Sequence, residues 1–242
     1  MRDSSLKQFL VQNYFGLQAL GSSLRAMWEQ PRMTLLSDDY ERYWEFRGEG
    51  GMHPRFTIIG SQLESGCSLL DVGCGDGTML EYLARERNVV GRGIDISELG
   101  VLKARARGVE AEQATFEEFS ARSHERFQHV VLSEIIEHVP DPEKLVLSAW
   151  KLCTRSLWLT IPNIAYLPHR LRLLAGKFPV QWVYYPGEHL RFWSIPDFRR
   201  WLDALEFPKA TFHPSNGISI LGAHRVWPNL FANQIVVRID RT

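Results

Sequence analysis

The sequence predicts an α/β protein built on a doubly wound parallel sheet, and three observations support this fold class. Short apolar runs alternate with helical patterns over residues 68–163. A glycine-rich turn, GCGDG, directly follows the first apolar run, and the second run ends in an acid, Asp95. Because ligands of such sheets bind beyond the carboxyl ends of the strands, we expect the turn and the acid to lie at a binding site.

The first 55 residues differ from the rest of the chain. Apolar residues recur at steps of three and four over residues 6–28, which predicts one amphipathic helix that ends before Pro31. Its polar face carries only Lys7 and Arg25, fewer cations than helices at membrane surfaces usually carry. We therefore expect residues 1–55 to form an N-terminal helical extension or lid that packs over the main domain.

The main domain is expected over residues 56–242. The predicted strands are SLLDV, NVVGRGID, VEAEQAT, HVVLSE, SLWLTIPN, KATFHPS and NQIVVRID. The predicted helices are Thr78–Arg87, ELGVLKARAR capped by Ser97, the second half of IIEHVPDPEKLVLSAWKL, AYLPHRLRLLAG and IPDFRRWLDALEF. A segment rich in proline and aromatic residues is expected as a substrate-side insertion around residues 164–195.

Composition narrows the class of partner. The 28 basic and 28 acidic residues give a formal net charge of zero, which argues against a dedicated nucleic-acid binder. Residues 151–200 carry 8 basic and 2 acidic side chains. This cationic segment either binds an anionic substrate or is simply a solvated surface. Three cysteines without metal-like or redox spacing indicate a reducing compartment. Because the sequence shows no long apolar run and no secretory signal, we expect a cytoplasmic protein without a membrane span. An oligomer is compatible with the sequence.

The glycine motif and its flanking acids indicate a cofactor. The spacing is G-x-G-x-G, unlike the G-x-G-x-x-G of dinucleotide-binding turns. Asp71 precedes the glycines and suits the ammonium group of an amino acid, while Asp95 can accept the hydroxyls of a ribose. A nucleoside that carries an amino acid is S-adenosylmethionine.

The motifs LLDVGCGDG, GIDIS, LSEIIEHVPDP and LTIPN, over residues 69–163, resemble those of class I S-adenosylmethionine-dependent methyltransferases. The resemblance implies a Rossmann-like seven-stranded sheet with the last strand antiparallel. It places the following residues at the cofactor: Asp71, Gly73, Cys74, Gly75 and Gly77 at the methionine part, Asp95 and Ile96 at the ribose, and Ser133. Thr115 and Gln128 depart from the family pattern, so the adenine contact near Thr115 is in doubt and the acid usual at position 128 is missing.

The C-terminal half resembles the methionine-biosynthesis MetW proteins, and its GEHLRF segment is similar to methyltransferases of glycan and lipopolysaccharide pathways. Two functions follow from these resemblances. One is O-methylation of a small-molecule, sugar or lipid-linked glycan acceptor. The other is a non-catalytic or regulatory partner of another biosynthetic enzyme.

Candidate catalytic chemistry follows the fourth strand. The resemblance places His138 beside the acceptor as a general base, although Glu137 and His138 could equally hold the loop in shape. The pattern E-x-x-E-H, made by Glu134, Glu137 and His138, resembles ubiquinone-biosynthesis O-methyltransferases, where it implies metal binding. Many relatives carry the E-H pair without a metal, so the expected site contains none. His189 is a second candidate base or a loop-fixing residue.

Overall fold

The computed structural model describes residues 40–46, 50–179 and 189–241, together with Gly21, Arg25 and Trp28. The helix predicted over residues 6–28 therefore lies almost wholly outside the described residues, as does part of the insertion expected around residues 164–195. The division into an extension and a main domain remains a prediction. Within the described part of the chain, no helix combines the length and the apolar character needed to cross a bilayer.

Seven strands form one sheet, as the resemblance implies. They are β1 (Ser68–Val72), β2 (Val90–Asp95), β3 (Glu110–Gln113), β4 (Phe127–Ser133), β5 (Cys153–Pro162), β6 (Thr211–Gly217) and β7 (Ala232–Asp240). Their order across the sheet is β3-β2-β1-β4-β5-β7-β6. Strands β1 to β5 pair in parallel, whereas β7 runs antiparallel to both β5 and β6. The expected reversal of the last strand is confirmed.

The helices flank the sheet. They are α1 (Tyr40–Phe46), α2 (Pro54–Gly60), α3 (Thr78–Arg87), α4 (Glu98–Ala106), α5 (Phe116–Arg122), α6 (Pro142–Leu152), α7 (Leu167–Leu174), α8 (Ile195–Ala204), α9 (Ala223–Val226) and α10 (Pro228–Phe231). The five predicted helices correspond to α3, α4, α6, α7 and α8. The sequence analysis missed α1, α2, α5, α9 and α10, although α5 carries a complete capping box between Thr115 and Glu118.

Two apolar clusters cover the two faces of the sheet. One joins Leu70 and Leu132 to helices α5, α6 and α8. The other joins Leu69 and Val131 to helices α2, α3 and α4. Because successive side chains of a strand point to opposite faces, each inner strand contributes to both clusters, which explains its nearly continuous apolar sequence.

Strand β1 is the middle one of the five parallel strands and marks the point where the chain order reverses, with β2 on one side and β4 on the other. The carboxyl ends of these three strands meet at one edge, where ligands of doubly wound sheets bind. Gln128 anchors β4 to β1: its side-chain oxygen accepts from the Ser68 N–H at 2.9 Å, and the Ser68 hydroxyl accepts from the Gln128 N–H at 3.0 Å. Gln128 thus holds the strands together although it replaces an acid.

Candidate active site

The glycine-rich turn between β1 and α3 adopts left-handed backbone conformations. The φ angles are +72° at Gly73, +54° at Gly75 and +73° at Gly77, a region that costs other residues about 1–2 kcal/mol. The protein itself also fills the space beside these residues. A β-carbon on Gly75 would lie 2.3 Å from the Trp44 ring, and one on Gly77 would lie 2.9 Å from Ala104 on α4. Close packing thus adds a second reason for glycine here.

Asp95 stands at the carboxyl end of β2 and faces the turn. One carboxylate oxygen accepts from the Gly75 N–H at 2.8 Å, and the other accepts from the Ser97 N–H at 2.9 Å. Burial raises the pKa of the Asp95 carboxyl, and these backbone hydrogen bonds oppose the rise. Each carboxylate oxygen can accept a further bond, so the pair of oxygens remains able to receive two hydroxyls.

Asp71 is buried at the end of β1, and its Oδ1 atom has no hydrogen-bond partner among the described residues. Burial and the nearby Asp95 raise the pKa of its carboxyl well above the usual value, against the pull of Arg55. Arg55, from the first turn of α2, is a half-buried cation that interacts electrostatically with Asp71, Glu134 and Glu137. A carboxyl group and a guanidinium group side by side can bind the ammonium and carboxylate groups of an amino acid.

Sequence reasoning missed Arg55 because it lies outside every recognised motif. Its only local signal is the dipeptide Pro54-Arg55 at the start of a helix, with proline at the first helical position. That signal predicts a helix but gives no indication that the arginine faces the ends of β1 and β4.

Helix α1 lies over the glycine turn. The Glu41 carboxylate accepts from the backbone N–H groups of Glu98, at 2.5 Å, and Leu99, at 2.9 Å. These are unpaired donors of the first turn of α4, so Glu41 acts as a cap supplied by another helix. The buried ring of Trp44 packs between Gly75 and Gly100, and Lys103 donates to the Trp44 carbonyl. This helix lies within the region predicted as an N-terminal extension, and its role as a lid remains a prediction.

The remaining predicted cofactor residues take different positions. The Cys74 side chain is buried and points toward Gly93 of β2, so only its backbone faces the turn. Burial raises the pKa of the Cys74 thiol well above the usual range, which keeps it a neutral thiol rather than a nucleophile. Ile96 is exposed beside Asp95, as a residue that covers a ligand would be. The Ser133 hydroxyl is hydrogen-bonded to Thr160 of β5 at 3.2 Å.

Of the E-x-x-E-H residues, Glu137 and His138 belong to one group of potential ligand atoms and Glu134 does not. Glu134 has a left-handed φ of +58°, and its carboxylate accepts from the Thr160 hydroxyl at 2.9 Å. The carboxylate of Glu137 is instead gathered with the imidazoles of His138 and His189. The two imidazole rings meet edge to face, with centroids 4.6 Å apart.

The segment that carries His189 is fixed to the turn after β4. The backbone N–H groups of Leu190 and Arg191 both donate to the Glu137 carbonyl, at 2.7 and 3.2 Å. The Arg191 guanidinium also donates to the Pro140 carbonyl at 2.6 Å. These bonds join two segments that are far apart along the chain. Pro140 and Arg191, for example, are 51 positions apart. Glu188, which neighbours His189 in the sequence, lies outside the described residues.

Solved structures share this architecture. A SAM-dependent methyltransferase from Archaeoglobus fulgidus aligns with a TM-score of 0.57 and 15% identity, covering 84% of this chain and all of that one. One from Geobacter sulfurreducens, solved with S-adenosyl-L-homocysteine, aligns with a TM-score of 0.55 and 15% identity, covering 86% of this chain and all of that one. At this level of identity the likeness shows that the fold is that of class I methyltransferases.

Curated relatives match the central motifs. The ubiquinone biosynthesis O-methyltransferase of Salmonella paratyphi A is 42% identical over 119 residues, covering 43% of this chain and 48% of the relative. The enzyme of the same name from Salmonella typhi is 36% identical over 119 residues, with the same coverage. The match therefore spans about half the length of these relatives.

A family model described as methionine biosynthesis protein MetW matches residues 53–239. This match begins just before α2 and ends within β7, so it takes in the whole sheet and the turn that carries His189. Because it spans well over half of the 242 residues, the chain belongs to the MetW family and is built on the class I SAM-dependent methyltransferase fold.

Proposed function

We propose that this protein is a methyltransferase that binds S-adenosylmethionine at the carboxyl ends of β1 and β2. The observation that carries the proposal is the pair of acids on either side of the glycine turn. One buried Asp71 oxygen, which has no hydrogen-bond partner in the described part of the chain, fits an ammonium donor, and Asp95 holds two oxygens toward the same edge. Arg55 supplies a cation beside Asp71 for the carboxylate of the methionine part.

When bound, S-adenosylmethionine supplies a methyl group on a positively charged sulfur. The chain's own residues position this group and exclude water from it, which accounts for most of the acceleration that such a transfer needs. Trp44 and Ile135 are placed to exclude water, because both lie in van der Waals contact with the glycine turn. Asp95, Ile96 and Ser133 remain the proposed contacts to the nucleoside side.

His138 is the proposed base on the acceptor side. It is half-buried, it follows β4, and it stands next to Glu137, which Arg55 links electrostatically to the cofactor end of the site. An acceptor hydroxyl must lose its proton as the new bond forms, and an imidazole nitrogen can accept that proton. We propose O-methylation of a small-molecule, sugar or lipid-linked glycan acceptor, in keeping with the O-methyltransferase relatives.

Methyl-labelled S-adenosylmethionine incubated with the protein and a fractionated cell extract tests this proposal. We expect label in a small-molecule or lipid fraction. His138→Ala should lower the rate by about 100-fold or more, the range for loss of a general base, while S-adenosylmethionine affinity stays within a few-fold. His124→Ala, at an exposed histidine beyond α5, is the matched control and should transfer label like the parent protein. Absence of label with the parent protein would contradict the activity.

A second function has support from the family match, whose description names a biosynthesis protein and no reaction. In that case the chain binds the nucleoside and serves another enzyme without transferring a methyl group. The two functions separate cleanly: S-adenosylmethionine binding without any labelled product, together with a stable complex with a biosynthetic enzyme, would favour the second.

A further inference from the structure

Glu137 is the most unusual polar residue of the acceptor side. Its side chain is fully buried, and neither carboxylate oxygen has a hydrogen-bond partner among the described residues. A buried carboxylate in this condition costs several kcal/mol if it stays charged, so it must be protonated or neutralised by a cation.

Two imidazoles stand where such a cation would need further ligands. One donor atom each from Glu137, His138 and His189 lies within 4.8 Å of the other two. Protein ligands that share one ion at about 2.0–2.2 Å lie roughly 3–3.5 Å apart, so shifts of about 1 Å would bring these three into coordination. The hydrogen bonds from Leu190 and Arg191 to the Glu137 carbonyl fix the two backbone segments at this separation.

We propose that Glu137, His138 and His189 form a binding site for a divalent first-row transition-metal ion. Two imidazole nitrogens and one carboxylate oxygen are a donor set that suits Zn²⁺, Mn²⁺, Fe²⁺ or Co²⁺, whereas Mg²⁺ prefers oxygen ligands and retains water. Three protein ligands also leave coordination positions open, the arrangement that metal ions use when they bind small molecules.

The site differs from the E-x-x-E-H set suggested by the sequence pattern. The Glu134 carboxylate accepts from the Thr160 hydroxyl, and His189 takes the place of Glu134 in the group of potential ligands. The third ligand therefore comes from a segment about fifty residues downstream, which a local sequence pattern could not reveal.

The charges near the site partly cancel. Arg55 interacts with Glu137 and opposes a second cation, whereas Glu134 adds a negative charge that offsets it. An ion of charge two would bring the group of Arg55, Glu134 and Glu137 to a net positive charge of one.

A second cluster of potential ligands provides a contrast. Glu64, Cys67 and His129 also bring donor atoms within 4.8 Å of one another. There, however, the Glu64 carboxylate already pairs with His129 at 3.0 Å and with Arg155 at 2.7 Å. Because that carboxylate is satisfied within the protein, Cys67 provides a control position for nonspecific metal uptake.

Calorimetric titration of the chelator-treated full-length protein with Zn²⁺, without S-adenosylmethionine or acceptor, tests the site. We expect one tight site in the parent protein. His189→Ala should weaken binding by about 100-fold or more, because loss of even an outer-shell partner typically costs 10–100-fold. Cys67→Ser should bind within a few-fold of the parent, and Glu134→Gln should lose far less affinity than His189→Ala. Co²⁺ in place of Zn²⁺ should give visible absorption bands that His189→Ala loses.

Thermal unfolding of each variant separates loss of the site from loss of the fold, and His189→Gln provides a second variant of similar size. Parent protein without a Zn²⁺ site would overturn the proposal and leave Glu137 as a protonated acid. So would Glu134→Gln binding as weakly as His189→Ala, which would restore the E-x-x-E-H set. A bound ion would occupy the His138 imidazole, so the base role proposed above applies to the protein without the ion. The result of the metal titration does not depend on whether methyl transfer occurs.

Discussion

The indole ring of Trp44 lies directly against Gly75, so that a β-carbon on residue 75 would stand 2.3 Å from Cζ2 and 2.5 Å from Cη2 of the ring. Helix α1 and the glycine turn therefore depend on each other for their positions. The Gly75 N–H donates to the Asp95 carboxylate. A displacement of Trp44 is therefore expected to move Gly75 and, through this hydrogen bond, to alter the proposed ribose site.

Gly75→Ala should destabilise the protein more than Gly108→Ala. Both residues have a left-handed φ, +54° and +79°, so both substitutions incur the backbone cost of about 1–2 kcal/mol. Only residue 75 adds a steric clash, since among the described residues no atom outside the adjoining two lies within 4 Å of a β-carbon at residue 108. Denaturant unfolding should therefore show an extra loss of about 1–3 kcal/mol for Gly75→Ala.

Trp44→Ala should partly rescue Gly75→Ala, because it removes the ring that the new methyl group meets. A double-mutant cycle measures this coupling as the difference between the double variant and the sum of the single variants. Strict additivity would show that the contact between residues 44 and 75 does not determine the cost.

Glu41→Ala should lower the free energy of unfolding by about 1 kcal/mol, the usual cost of losing a helix cap. The carboxylate binds the N–H groups of Glu98 and Leu99, which have no partner within α4. Glu45→Ala, at an exposed position on the same helix, is the matched control and should change the value by less than about 0.5 kcal/mol. Equal effects of the two substitutions would argue against the cap.

His169→Gln should flatten the dependence of stability on acidic pH. Burial, with the charge of Arg172, lowers the pKa of His169 to about 4, against its hydrogen bond to Asn233 at 3.1 Å. In the unfolded chain His169 therefore binds a proton near pH 6.5, whereas in the folded protein it does so only near pH 4.

His169 makes its full contribution to the free energy of unfolding above about pH 6.5. This contribution decreases as the pH falls toward 4, and about 2–3 kcal/mol of it is lost at pH 4.5. Unfolding measured at pH 7 and pH 4.5 should show a drop for the parent protein that exceeds the drop for His169→Gln by that amount. An equal drop in both proteins would show that His169 is not held neutral by burial.

The sheet could be predicted from the sequence because its signals are local. An apolar run, a turn and a cap such as Ser97 each act within a few residues, and Ser97 does accept from the Gly100 N–H at 3.0 Å. Helix α5 was missed although the same kind of signal was present, since Thr115 was assessed as a cofactor contact rather than as a cap.

The site was only partly predictable, because its remaining members arrive from distant segments. Asp71 and Asp95 lie at the carboxyl ends of β1 and β2 and could be placed by strand order alone. Arg55, Trp44 and His189 reach the same edge through the packing of helices and loops, which no spacing in the sequence encodes. The reason for glycine at residue 75 was likewise incomplete, because the close neighbour is a side chain 31 positions earlier in the chain.

Calorimetric titration with S-adenosylhomocysteine, comparing the parent protein with Asp95→Ala, tests the central claim most directly. We predict that the parent protein binds and that Asp95→Ala weakens binding by about 100-fold, because hydrogen bonds to a charged group contribute about 1.5–3 kcal/mol each. Asp240→Ala, at the exposed end of β7, should bind like the parent. A folded parent protein that does not bind, or Asp95→Ala binding with unchanged affinity, would contradict the proposed cofactor site.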